Sequence, residues 1–350
     1  MPDPSHITVV APNFKRRLSG VTSTIVQLVP LQARSIPIAT LGPGLPDTLP
    51  KLSWRDLPKL WRRPRGRPFR IWHARRNTEM LAGVVLRDIL RMPLKLLFTS
   101  AAQRHHTGWT RFLIDRMDAV VATSERSRSY LRVPARVVMH GIDLDRFSPD
   151  GPMPAGELAA SLEGRRIVGC SGRIRHQKGT DLFVAAMIAL LPDHPDWTAV
   201  VTGRVTAENR AFAETLHRQI AEAGLKDRIL LVGEVHDITA WFRRFDLYVA
   251  PPRNEGFGLT PLEAMASRTP VVASDAGAFA EQIVEGVTGR IVPTGSAEAL
   301  ADAIAPYLDD ESLRKRAAEA GLAHVRRHFP LEREASELAA VYEALWSSAA

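Results

Sequence analysis

Cysteine is nearly absent: Cys170 is the single example in 350 residues. That excludes an internal disulfide framework and fits a reducing compartment. Long apolar runs are missing as well. None approaches the roughly 18 residues that a membrane span needs, and the most apolar helical region, 80–97, is interrupted by Arg87, Asp88 and Arg91. The chain enters Ile7-Thr8-Val9-Val10 almost at once, with no basic stretch leading a long apolar one, so no targeting segment is expected. Internal repeats and low-complexity tracts are also lacking. What is left is an ordinary globular composition, long enough for two buried cores.

The first part of the chain is short of acid. Residues 1–148 hold 25 Lys and Arg against 10 Asp and Glu, a balance of +15, whereas 149–350 hold 21 against 28, a balance of −7. The excess peaks between Lys51 and Arg76, where ten basic residues are interleaved with Trp54, Trp61 and Trp72. Such a segment suits nucleic acid, anionic lipid headgroups or an acidic saccharide. It is equally the composition of a solvated basic loop.

Short apolar runs alternate with helical patterns through both halves. Strands are expected at Ile7–Ala11, Ile36–Leu41, Phe69–His73, Leu94–Thr99, Ala119–Thr123 and Arg136–Met139, with helices near Val21–Ala33, Asn77–Arg91, Trp109–Arg116 and Glu125–Leu131. The rhythm resumes with strands at Arg166–Cys170, Thr198–Thr202, Ile229–Val232, Leu247–Ala250 and Pro270–Ala273. Between the halves, Ser148-Pro-Asp-Gly-Pro-Met-Pro154 can continue neither helix nor strand and reads as a linker. The fold class expected is α/β, two Rossmann-like domains, with ligands beyond the carboxyl ends of the strands.

The densest chemistry follows the strand Leu247–Ala250. There Pro251-Pro-Arg-Asn-Glu255-Gly256-Phe257-Gly258-Leu259-Thr-Pro-Leu-Glu263-Ala264 puts two carboxylates around a glycine turn that opens a helix over Leu259–Ser267. Unpaired amides at such a turn favour an anion. The arrangement suits a diphosphate flanked by hydroxyls, as in a nucleotide sugar. Taken alone, two glutamates at this spacing are as well explained by a solvated loop and a helix surface. A second basic loop, Gly172-Arg173-Ile-Arg-His-Gln-Lys178-Gly179, follows the first strand of the second half. A planar fork and a point charge are both suited to phosphate oxygens.

Glu-Gly-Phe-Gly-Leu-x-x-Leu-Glu-Ala, followed by Thr269-Pro-Val-Val-Ala-Ser274 and preceded by Gly-Arg-x4-Lys-Gly, closely resembles the signature of retaining glycosyltransferases of family 4. The resemblance implies the GT-B architecture, with two Rossmann-like domains facing an interdomain cleft. Residues 1–147 would form the acceptor-binding domain and 148–330 the nucleotide-sugar-binding domain. The C-terminal helix, within 331–350, would cross back onto the first domain. It also implies that Arg173 and Lys178 grip the diphosphate, that Glu255 touches the donor sugar and Glu263 the ribose, and that the amides of Gly256, Phe257, Gly258 and Leu259 meet the phosphates. Val235, in Val232-Gly-Glu-Val-His-Asp237, would lie against the nucleobase. Gly20, in Arg17-Leu-Ser-Gly20-Val-Thr-Ser-Thr24, would face the donor phosphate.

Two departures stand out. Many members carry two adjacent glycines where this chain has Ser19-Gly20, and many carry a histidine where this chain has Ala101. His105 and His106 are candidates to fill that space. His73, Arg75, Arg76 and Arg104 are candidates for acceptor contacts.

Across the first half the resemblance narrows to lipopolysaccharide core mannosyltransferases, through Ala11-Pro-Asn-Phe-Lys-Arg-Arg-Leu-Ser-Gly-Val-Thr-Ser-Thr24, Ile71-Trp-His-Ala-Arg-Arg76 and Phe98-Thr-Ser-Ala-Ala-Gln103. This implies GDP-mannose as donor and the lipid-linked inner core as acceptor, in a cytoplasmic enzyme peripheral on the inner, anionic face of the cytoplasmic membrane. No cofactor and no metal are expected, because Arg173, Lys178 and the loop amides would neutralise the leaving group. Competing readings are a UDP-hexose-dependent glycosyltransferase, a nucleotide-sugar epimerase and a basic nucleic-acid-binding protein. Against the last, no recognised nucleic-acid module is present, and no nucleic-acid partner is expected.

Overall fold

The computed structural model describes residues 2–16 and 20–348, with the backbone alone for Val21. The chain divides into two compact units, Met1–Gly141 with Leu331–Ala350, and Ile142–Pro330.

The first unit is built on a seven-stranded sheet: β1 (Val9–Pro12), β2 (Ile38–Leu41), β3 (Lys51–Leu52), β4 (Arg70–Ala74), β5 (Leu94–Ser100), β6 (Ala119–Ala122) and β7 (Arg136–Val137). Their order is β3-β2-β1-β4-β5-β6-β7 and every pairing is parallel. Val9 stands opposite Ile38 on one side and Ile71 on the other. β1, β2 and β4 are buried at every position, as a parallel sheet covered on both faces requires. The last helix, Leu331–Ser347, belongs to this unit. Leu338, Val341, Tyr342, Leu345 and Trp346 join Ile25, Leu28 and Val29 of the helix Gly20–Gln32 in one core. Trp346 Nε1 donates to Phe69 O at 3.2 Å.

Two local features differ from the sequence expectation. The basic segment is ordered: β3 leads into a 3₁₀ helix, Trp54–Trp61, started by a capping box between Ser53 and Asp56. The helix expected over Asn77–Arg91 is α-helical only to Val84. It widens into a π turn over Val85–Ile89 and is closed by Arg91 at φ 52°.

The second unit has a six-stranded parallel sheet, β10-β9-β8-β11-β12-β13. Its strands are β8 (Arg166–Ser171), β9 (Trp197–Thr202), β10 (Ile229–Gly233), β11 (Leu247–Ala250), β12 (Val271–Ser274) and β13 (Gly289–Val292). Strand β13 escapes a sequence reading because Gly-Arg-Ile-Val is short and lacks the apolar continuity of its neighbours. Helices Thr180–Leu190 and Ala297–Asp309 cover one face through Phe183, Met187, Ile304 and Tyr307. Strand order reverses between β8 and β11, the switch point at which open α/β sheets receive ligands. Among the described residues, no helix is long and apolar enough to cross a membrane.

Candidate active site

The loops leaving β8 and β11 meet at that switch point. Gly179 closes the first loop in the left-handed region, φ 69°, and a Cβ there would lie 1.9 Å from Pro251 O. Only glycine lets the two backbones come so close. Arg253 stitches the loops together. Its amide donates to Gln177 O at 3.0 Å and its Nη1 to His176 O at 2.8 Å. Its fork takes both oxygens of Asp181, each at 2.7 Å. Ser274 Oγ, at the end of β12, holds Pro252 O at 2.6 Å. Further along, Gln282 Nε2 donates to Phe257 O at 3.2 Å and Gly258 O at 2.9 Å. The loop shape is therefore set by side chains from several elements.

Into this frame the structure brings Lys178 and Glu255, as a half-buried ion pair between Nζ and Oε2. The other carboxylate oxygen of Glu255 accepts the Gly256 amide at 3.0 Å, so that amide is occupied within the loop. Phe257 is buried and presents only its backbone. Arg173 is exposed. Arg175 is half-buried, and its basicity is lowered by burial, then by Arg173, and raised by Glu255 and Glu208. Glu263, on the first turn of the helix Thr260–Ala266, has its pKa raised by burial to about 7, with Arg146 the opposing charge. Val235 lies in the loop between β10 and the helix Ile238–Arg244, a loop fixed by Asp237 Oδ1 accepting Thr239 N at 2.9 Å. Cations and carboxylates thus share the carboxyl end of the two central strands. Such a site can hold a diphosphate between hydroxyl-bearing groups.

In the first unit the residues after β4 are bound inward. His73 is fully buried, with Nδ1 2.8 Å from Tyr342 Oη and Nε2 2.7 Å from Thr99 Oγ1. Burial, then Arg75, holds its pKa well below the ordinary value. Arg76 reaches Glu79 Oε1 at 2.7 Å, Asn13 Oδ1 at 2.8 Å and Thr22 Oγ1 at 3.0 Å. The expectation that His73 and Arg76 touch the acceptor is corrected here: both ring nitrogens of His73 are engaged within the chain, and Arg76 neutralises the buried Glu79. Arg75 is half-buried, its amide donating to Glu79 Oε2 at 2.8 Å and its Nη1 to His73 O at 3.3 Å, and burial lowers its basicity.

Of the two histidines after β5, His105 is exposed and edge-on to Tyr130 at 5.2 Å. His106 turns back toward the strand end, with Nε2 3.5 Å from Ser100 Oγ. Its pKa is lowered by burial, then by Arg104 and His105, which keeps it neutral near pH 7. Arg104 is exposed. Arg17, Leu18 and Ser19 lie outside the described residues, and Gly20 opens the helix Gly20–Gln32.

Residues 159–324 match the family model described as Glycosyl transferases group 1. The chain is 63% identical over 346 residues to the lipopolysaccharide core biosynthesis mannosyltransferase LpcC of Rhizobium leguminosarum bv. viciae, covering 99% of this chain and 98% of the relative. It belongs to the group 1 glycosyltransferases. The lipopolysaccharide core biosynthesis mannosyltransferase LpsB of Rhizobium meliloti is 55% identical over 349 residues, covering 99% of each chain. Among solved structures, Anabaena HepE in complex with UDP and glucose superposes with a TM-score of 0.81 over 97% of this chain and 100% of that one, at 17% identity. That likeness speaks to fold. The two Rossmann-like, parallel-sheet units are the α/β architecture of GT-B glycosyltransferases.

Several residues that shape the loops of the two units of this glycosyltransferase were not singled out from sequence. Arg253 and Asp181 are 72 positions apart, and nothing local marks them as partners. Arg175 sits inside the basic loop without a motif position. Asn13 donates to both Lys15 O and Pro43 O at 2.8 Å, so it shapes the turn after β1. The one signal available was its place directly after an apolar strand. An Asp-x-Asp triplet also occurs, Asp143-Leu-Asp145. The first carboxylate caps its own turn, accepting Asp145 N at 3.1 Å and Arg146 N at 3.0 Å.

Proposed function

We propose that this glycosyltransferase, a family 4 member, moves mannose from GDP-mannose to the inner core of lipopolysaccharide with retention of configuration. The observation that carries the reading is the half-buried Lys178–Glu255 pair at the β8/β11 switch point, with Arg173 on the same loop as Lys178. Identity of 63% over nearly the whole chain to a lipopolysaccharide core mannosyltransferase supports the sugar and the acceptor. Lys178 has three donors. One holds Glu255, and the others serve the diphosphate. Arg173 brings a fork to the same oxygens. Glu255 then accepts hydroxyls of the hexose, and Glu263 those of the ribose.

In the reaction the bond from the anomeric carbon to the diphosphate oxygen breaks, and charge collects on GDP. Arg173 and Lys178 stabilise that charge where it develops. The acceptor hydroxyl attacks from the face the diphosphate leaves, and its proton passes to a phosphate oxygen of the departing group. His106, kept neutral, lines the acceptor side with Arg75 and Arg104. Neither cofactor nor metal enters this scheme, so turnover is expected to survive a chelator. The enzyme would work at the inner face of the cytoplasmic membrane, where a lipid-linked acceptor is presented.

The test is nucleoside diphosphate release from GDP-mannose, UDP-glucose and UDP-galactose, with and without deacylated core, alongside Glu255→Ala. Core-dependent release of GDP alone, lost in the variant, is expected. Turnover of another donor would remove mannose from the proposal. Conversion of donor without any acceptor would replace transfer by epimerisation.

A further inference from the structure

Residues 51–91 contain three acidic side chains, and each is neutralised at home. Asp56 pairs with Lys59 at 2.8 Å, Glu79 with Arg76 at 2.7 Å and Asp88 with Arg87 at 2.6 Å. Of the other cations in this segment, Arg55, Arg62, Arg63 and Arg91 are exposed. Between them stand large apolar groups: Trp54 is 53% exposed, Trp61 45%, Ile89 69% and Leu90 41%. Trp61 and the Ile89-Leu90 turn belong to one surface, because Trp61 Nε1 donates to Leu90 O at 2.7 Å. The π turn over Val85–Ile89 and the left-handed Arg91 carry Ile89 and Leu90 outward instead of continuing an α-helix. The neighbouring helix Gly108–Ile114 is tied in by Asn77 Nδ2 to Thr110 Oγ1 at 2.8 Å. It exposes Trp109 and Phe112, stacked at 5.5 Å.

We propose that this face is the membrane-docking surface of the enzyme. Ile89 and Leu90 enter the acyl boundary of an anionic phospholipid bilayer, Trp54 and Trp61 lie at headgroup level, and Arg55, Arg62, Arg63 and Arg91 meet phosphates. The chemistry is that of an interfacial surface: exposed aliphatic tips, amphipathic aromatics and unneutralised cations in segments that the Trp61–Leu90 bond joins. A nucleic acid would use the arginines and tryptophans for phosphates and stacking, but has no use for a projecting Ile-Leu turn. The proposal deepens the membrane attachment stated above and rests on it for its biological purpose.

The test is co-sedimentation of the full chain with vesicles of phosphatidylcholine alone or mixed with phosphatidylglycerol, without donor or acceptor, at low and high salt. The wild type should bind only the anionic vesicles and be released by salt. Ile89→Glu should lose at least tenfold in partitioning, and Arg62→Ala and Arg63→Ala about fivefold each. Ile89→Glu should keep full turnover on a water-soluble, deacylated acceptor, which also shows that it folds. Vesicle binding unchanged by Ile89→Glu overturns the proposal, as does binding of a DNA duplex in preference to anionic vesicles. Absent turnover with intact vesicle binding would remove the proposed reaction and leave this surface standing. Intact turnover without vesicle binding would do the reverse.

Discussion

Lys178 and Glu255, 77 positions apart in the chain, form an ion pair in which the two side chains are 25% and 22% exposed. The pair joins the loop after β8 to the loop after β11, so the cation and the carboxylate proposed to meet the donor orient each other. Neither is free to take another rotamer without leaving its partner uncompensated in a partly dry site.

Lys178→Met and Glu255→Gln should each lower kcat by about 100- to 1000-fold. Residues that act as a unit are not additive. The double variant should therefore fall little further than the worse single one. Steady-state kinetics on the four proteins of the cycle test this, and losses that multiply would show two independent roles.

Glu263 should make donor affinity depend on pH. Its pKa is raised from 4.5 to about 7 by burial, and the ribose recognition proposed for it uses the ionised form. GDP binding is expected to weaken as pH falls below about 7 and to release protons, measurable by calorimetry in buffers of different ionisation enthalpy. The stability effect has the opposite sense. A carboxyl that binds its proton more tightly when folded loses stability as pH rises from 4.5 to about 7. Glu263→Gln should thus stabilise the protein above pH 7 by on the order of 3 kcal/mol, with the gain vanishing below the unfolded pKa. A gain that is the same at every pH would point to packing instead.

Gly179 and Gly224 separate backbone strain from steric contact. Both are left-handed, at φ 69° and 70°, but only at Gly179 would a Cβ strike backbone, 1.9 Å from Pro251 O. Gly224→Ala should cost about 1 kcal/mol. Gly179→Ala should cost more than about 3 kcal/mol and weaken GDP binding, because the Pro251 loop must move. Denaturant titration with calorimetry checks both; equal costs would mean that the close approach is relaxed in solution.

Arg76 and Glu79 are expected to behave as a buried pair. Glu79 is fully buried and Arg76 nearly so. Arg76→Met should cost about 3–5 kcal/mol by stranding the carboxylate, and adding Glu79→Met should recover much of it. If the double variant is no more stable than the single one, the network with Asn13 and Thr22 matters more than the charge.

The strands and loops that carry the candidate site were legible from local pattern. Apolar runs such as Leu247–Ala250 can be buried on both faces only as central parallel strands. The glycines and charged residues that follow them mark loops at the strands' carboxyl ends. That is why Arg173, Lys178, Glu255 and Glu263 could be named from spacing and resemblance. His73 and Arg76 show the limit. Their position after β4 is visible in the sequence, but whether a side chain points to ligand or into the unit depends on Tyr342 and Glu79, which supply its partners.

The amino-acid sequence by itself determined the alternation of strands and helices, the uneven charge of the two halves and the chemistry carried by the loops. These rest on periodicity, composition and residues close together in the chain. Only the tertiary structure decided which distant groups meet: Lys178 with Glu255, Arg253 with Asp181, Trp61 with Leu90. It also decided that Glu263 is buried enough to titrate near neutrality and that the helix after Asn77 ends in a projecting turn. Pairing, burial and dielectric environment are properties of packed neighbours, and a linear pattern does not contain them.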